Sequence, residues 1–149
     1  MQPSWLQRPS TDTGEGGRLG ARLDYAKVID RELFYNRGGK VHPGLENQVI
    51  IQHEPGQAGA FLVLRGWHDD HGSLTEQWRI EAPGGISLYE SLPREIHLPT
   101  KSHTERLEDE IADLEFDFAA DNYNLVFLLD ETEVARVRFE VTTQPAQPA

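Results

Sequence analysis

The stretch from Asn122 to Val141, NYNLVFLLDETEVARVRFEV, limits what this chain can fold into more than any other. Tyr123, Leu125, Phe127 and Leu129 alternate in its first half, and Ala135, Val137, Phe139 and Val141 in its second. Strict alternation puts each set on one face of a pleated strand, so the stretch predicts an antiparallel hairpin with one buried face. All eight residues hold odd positions, so facing partners must sum to an even number. A regular connection drawn from Asp130 to Val134 then has three or five residues, and the lack of glycine there argues against a two-residue primed turn. The first run is also continuous, which turns Val126 and Leu128 away from the main core. A strand apolar on both faces is usually covered on both. Arg136, Arg138 and Glu140 make the facing strand polar outside, so the cover is expected from a helix near 103–111, from Trp5-Leu6 or from a second subunit. Val126, Leu128, Trp5 and Leu6 are therefore the expected interaction surface, with a protein partner or a homo-oligomer as what they meet.

Shorter apolar runs occupy Ala21 to Asp30, Gln48 to His53, Gly59 to Trp67, Ser73 to Ala82, Ile86 to Tyr89 and Glu95 to Leu98. Gly- and Pro-containing breaks separate them, including Asn36-Arg37-Gly38-Gly39, His42-Pro43-Gly44 and Pro83-Gly84-Gly85. In the third run Phe61, Val63 and Arg65 share one face, with Leu62 and Leu64 on the other. In the fourth, Leu74, Trp78 and Ile80 point inward. Arg31 to Phe34 reads as an extension of the first strand. Ser102 with Glu105 matches a capping box, and Leu107, Ile111 and Leu114 follow helical spacing, which predicts a short helix over 103–111 and then a strand over 113–119. About eight short strands with no long helices between them predict an all-β, antiparallel β-sandwich, immunoglobulin-like or jelly-roll-like, over 21–141. Residues 1–20 read as a flexible arm and 142–149 as a disordered tail.

Ala119-Ala120-Asp121-Asn122-Tyr123, followed by the hairpin, resembles the tyrosine corner and closing strands of immunoglobulin-like sandwiches, although Ala119 stands where those domains carry an Asp. The resemblance covers about 25 residues and implies an architecture without an activity.

The chain has 25 Asp and Glu against 14 Lys and Arg, a net charge of −11, and no cysteine. Disulfide frameworks, cysteine zinc sites and thiol nucleophiles are thereby excluded. The charge works against direct binding to nucleic-acid phosphates or anionic lipid. The sequence shows no apolar leader and no run of 18 apolar residues, so a cytoplasmic protein is expected.

Four features carry candidate chemistry. His68-Asp69-Asp70-His71 with Glu76 offers imidazole and carboxylate ligands for a divalent metal, and it is similar to the first metal motif of cupins. That resemblance implies a metal-binding barrel enzyme using His68, Asp70, His71 and Glu76, although cupin histidines are one residue apart and these are three. Glu105, Glu108, Asp109, Glu110, Asp113, Glu115, Asp117 and Asp121 form an acidic run that fits a solvated face, or an acidic inhibitor of a nucleic-acid-binding protein. Trp67 and Trp78 fit either core packing or a sugar-stacking platform. His42, His53, His97 and His103 stand alone. No serine elbow or phosphate loop is present in the sequence. The favoured expectation is a non-enzymatic interaction or structural domain without a cofactor.

Overall fold

A computed structural model describes residues 20–36, 38–39 and 47–143. Strand β1 (Arg22–Asp30) runs into a short helix α1 (Arg31–Asn36). Then follow β2 (Gln48–Ile51), β3 (Gly56–Gln57), β4 (Phe61–His68), β5 (Gly72–Glu81), β6 (Ser87–Glu90) and β7 (Arg94–Leu98). The order ends with β8 (Glu105–Ile111), β9 (Glu115–Phe116), β10 (Ala120–Leu129) and β11 (Thr132–Thr143). One sheet has the order β1-β4-β8. The other has the order β2-β11-β10-β5-β6, with β7 also pairing β5, and β3 and β9 form a separate short ladder. The pairings are antiparallel except for β2 with β11, which run parallel. The expected all-β sandwich is the fold, curled into a half-barrel.

The curl comes from joining the sheets at one side only. Asn47, just before β2, donates its backbone N–H to the Val28 carbonyl, and its side-chain oxygen accepts from the Val28 N–H at 3.2 Å. That links β1 to β2. Among the described residues no such ladder links β8 to β6 or β7, so the opposite side of the sandwich stays open.

The alternating residues of the facing sheets fill the space between them, including Val28, Phe61, Val63, Trp67, Trp78, Ile80, Leu125, Phe127 and Phe139. A second cluster, Ile29, Phe34, Leu62 and Leu64 with Tyr25 packed against it, lies on the other side of the β1-β4-β8 sheet. This explains why β4 is buried at Phe61, Leu62, Val63 and Leu64 alike: α1 covers its outer face. Arg31 to Phe34 therefore begin this helix and do not continue the strand.

Residues 105–111 form a strand where a helix is expected. Spacing i, i+4 puts Leu107 and Ile111 on one face in either conformation, so those two residues do not discriminate. The burial of β8 alternates, with Leu107, Asp109 and Ile111 turned inward. The strand expected over 113–119 contracts to β9.

The β10–β11 hairpin keeps its expected faces by an unexpected route. Leu125 pairs with Val137, Val126 with Arg136 and Phe127 with Ala135, but Leu128 pairs with Glu133 and Leu129 with Thr132. The turn is thus the two residues Asp130 and Glu131, both left-handed at φ 49° and 70°, as a primed turn requires. Val134 is an extra residue bulged out of the ladder, and this bulge supplies the odd count expected of the loop. Asp130 stabilises the turn without glycine: its N–H donates to the Thr75 carbonyl at 2.8 Å, and its carboxylate accepts from the Thr75 N–H at 2.9 Å.

Tyr123 is fully buried, and its hydroxyl donates to the Phe118 carbonyl at 2.6 Å. A bond from this tyrosine to backbone a few residues upstream is the defining contact of a tyrosine corner.

Candidate functional site

The most unusual group in the core is charged. Arg65 is an inward residue of β4, and Glu76 is an inward residue of β5 in the opposite sheet. Their exposures are 0% and 1%. Arg65 donates from Nε to Glu76 Oε2 at 2.8 Å and from Nη2 to Oε1 at 2.5 Å, a two-pronged pair across the sandwich. Trp67 Nε1 adds a third bond to Oε2 at 2.7 Å. Asp109, inward on β8, accepts from Arg65 Nη1 at 3.0 Å and from Trp78 Nε1 at 2.9 Å through Oδ2. Its other oxygen accepts from Arg94 Nη2 at 2.9 Å. One connected network thereby joins both sheets and reaches the surface at Arg94.

Buried charges persist only when paired and hydrogen-bonded, and these are. Burial weakens the hold of the Arg65 guanidinium on its proton, but the bonds and charge of Glu76, followed by Asp109, outweigh it and raise its pKa above the ordinary value. Burial likewise pushes the Asp109 carboxyl up, while the Trp78 indole, Arg65 and Arg94 together hold it below the usual carboxylate range.

The network forms the floor of a cleft of about 410 Å³ on the open side of the sandwich, walled by Trp78, Tyr89, Leu92, Arg94 and Asp109. The Trp78 and Tyr89 rings lie 5.3 Å apart between centroids. Leu92 is 86% exposed at the rim. Beside the cleft, the outward carboxylates of β8 are engaged by α1: Tyr35 donates to Glu108 at 2.9 Å, and Arg31 pairs with Glu110 at 2.9 Å.

The residues considered for a metal do not converge. His68, the last residue of β4, contacts Asp69 at 3.2 Å, and His71, in the β4–β5 turn, lies 3.8 Å from Asp70. Glu76, the fourth ligand of that set, is committed to Arg65 and Trp67 in the core. Among the described residues no group of three His, Asp or Glu side chains is placed to hold a metal ion. His53 contacts the Pro55 carbonyl, His97 contacts Ser73 and His103 contacts Glu105, while His42 lies outside the described residues. Trp67 and Trp78 are 0% and 1% exposed, which makes them core and donors to carboxylates, not an open stacking platform.

Val126 is fully buried within the chain and Leu128 is half-buried. Register sets Arg79 and Arg136 on either side of Val126. Both arginines bind Glu81, at 2.8 and 2.9 Å, and Arg136 also binds Glu133 at 2.6 Å. These ion-paired stems roof the valine, because long charged side chains shield apolar surface with their methylenes. Covering Val126 therefore requires neither a helix at 103–111 nor a second subunit. Trp5 and Leu6 lie outside the described residues.

Arg65, Asp109 and Arg94 are the site residues that the sequence reading passes over. Their signal is present: Arg65 and Glu76 hold inward positions of consecutive strands with opposite charge, and Asp109 sits in phase between Leu107 and Ile111.

No helix among the described residues is long and apolar enough to cross a membrane. No protein-family model matches the sequence, and no curated protein matches it. Among solved structures the chain is similar to the Pseudomonas fluorescens alkylpurine DNA glycosylase AlkC bound to DNA containing an abasic-site analogue, at 7% identity and a TM-score of 0.46. The match covers 83% of this chain and 30% of that one, so the chain spans under a third of the glycosylase's length.

Proposed function

We propose that this chain is a non-enzymatic protein-interaction domain that takes its partner along β8, on the open side of the sandwich. The observation that carries the reading is the position of β8. It is the last strand of its sheet, and among the described residues no strand pairs with its outer edge. Such an edge presents a row of backbone donors and acceptors to any extended segment laid beside it. Arg31 answers Glu110, and Arg65 and Arg94 answer Asp109, which leaves Glu105 and Glu108 on β8, continued by Asp113, Glu115 and Asp117, as an acidic surface beside the edge. Two copies of β8 side by side would set acids against acids, which is unfavourable, so the fitting partner is a basic extended segment of another protein.

The test uses a basic peptide alternating lysine with valine or threonine, added to the full chain at low ionic strength. Slowed amide exchange along β8, declining as salt is raised, is the expected result. Protection confined to β6, β7 or β11, or none on any strand, would overturn the assignment.

A further inference from the structure

We infer that the cleft beside β8 is the anchor site for an arginine side chain of that partner segment, an inference that rests on the interaction reading above. The chain already shows a guanidinium seated there. Arg94, at the start of β7, reaches over the opening and donates to Asp109 Oδ1 at 2.9 Å. Asp109 is oriented for this from inside, since Arg65 and Trp78 fix Oδ2 and leave Oδ1 turned to the opening. The Arg94 side chain is 43% exposed, and an ion pair so open to water contributes little to stability. A second guanidinium can replace it at small cost.

The walls suit the same group. Tyr89, half-buried, lines the cleft with its ring packed on the buried Trp78, and an aromatic face attracts a planar cation. Arginine fits better than lysine, because its flat, delocalised head stacks on a ring while its fork meets a carboxylate. Leu92 and Pro93 at the rim offer apolar contact to the residues flanking such an anchor. The volume of about 410 Å³ falls in the range of ligand clefts, roughly 300–1,000 Å³. Arg94 is thus a placeholder, and the partner's arginine displaces it as the segment pairs with β8.

The experiment compares three peptides of sequence Thr-Lys-Val-X-Val-Lys-Thr on the full chain, with arginine, citrulline or lysine at X. Citrulline keeps the shape of arginine and removes its charge. The arginine peptide is expected to shift the Trp78 indole N–H resonance, protect β8 amides, and bind roughly fivefold tighter than the citrulline peptide. Arg94→Ala empties Asp109 Oδ1 and is expected to strengthen the arginine peptide's binding. If all three peptides protect β8 with equal affinity, the arginine anchor is wrong while docking on β8 stands. Weaker arginine binding in Arg94→Ala, or an unmoved Trp78 resonance, would also overturn the anchor. If no peptide protects β8, or if β8 becomes protected by raising the concentration of the chain alone, both readings fail.

Discussion

Replacing Glu76 by alanine tests how the charged core is balanced. The substitution removes the acceptor for three buried donors: Arg65 Nε, Arg65 Nη2 and Trp67 Nε1. Counted singly, each unpaired buried donor costs about 1–3 kcal/mol, and breaking a buried ion pair from one side costs about 3–5 kcal/mol. Two features pull the expectation to the low end. Arg65 keeps Asp109 at 3.0 Å as a second carboxylate, and the cleft borders the vacated position, so water can enter and bond the stranded donors. We expect a loss of about 3 kcal/mol, a large fraction of the ~5–15 kcal/mol that stabilises a domain. Urea unfolding followed by tryptophan fluorescence reads it as a lowered midpoint at unchanged slope. The double replacement Arg65→Met with Glu76→Leu removes the buried pair together but still strands Trp67 Nε1 and takes Arg65 from Asp109, so it should recover about 1 kcal/mol of the loss and not all of it. A Glu76→Ala loss below about 1 kcal/mol would refute the reasoning, as would a double variant less stable than the single one.

Three further outcomes follow from the same structure. Gly66→Ala should cost about 1–3 kcal/mol in urea unfolding, because a Cβ there would stand 2.7 Å from the Tyr25 ring and 3.1 Å from Thr104. Glu131→Gly should stabilise the chain by about 1 kcal/mol in the same assay, since φ 70° is costly for glutamate and free for glycine. Asp109 is held below its unfolded pKa of about 3.9, so its contribution is complete above that value and is lost as pH falls through the lower folded value. Stability measured downward from pH 5 should therefore fall less steeply in Asp109→Asn than in the parent.

The sandwich was legible in the sequence wherever apolar residues kept a period of two, as in β4, β5, β10 and β11. It failed at β8 for a physical reason: the strand's inward set is Leu107, Asp109 and Ile111, and the carboxylate in the middle breaks the apolar alternation. With Asp109 read as polar surface, the remaining i, i+4 pair fits a helix equally well. The same substitution of charge for oil hid the site. Arg65 and Glu76 occupy core positions, yet only the fold shows that two opposite charges from facing sheets meet there. The cover over Val126 is not legible when arginine is taken as a charge alone, because Arg79 and Arg136 supply stems beside it and heads that pair with Glu81.

The bulge at Val134 has a consequence for how this chain tolerates loss of sequence. Leu128–Glu133 on one side of it and Phe127–Ala135 on the other are both in register, so Val134 is supernumerary to the ladder. Deleting it would leave every pair of the hairpin intact. A one-residue deletion farther along β11, at Arg138 for example, would either bring Arg136 opposite Leu125 in the core or turn Phe139 and Val141 toward solvent. Single-codon deletions scanned across β11 should therefore be survivable from Glu133 to Arg136, where loss of the bulge absorbs them, and damaging from Arg138 onward.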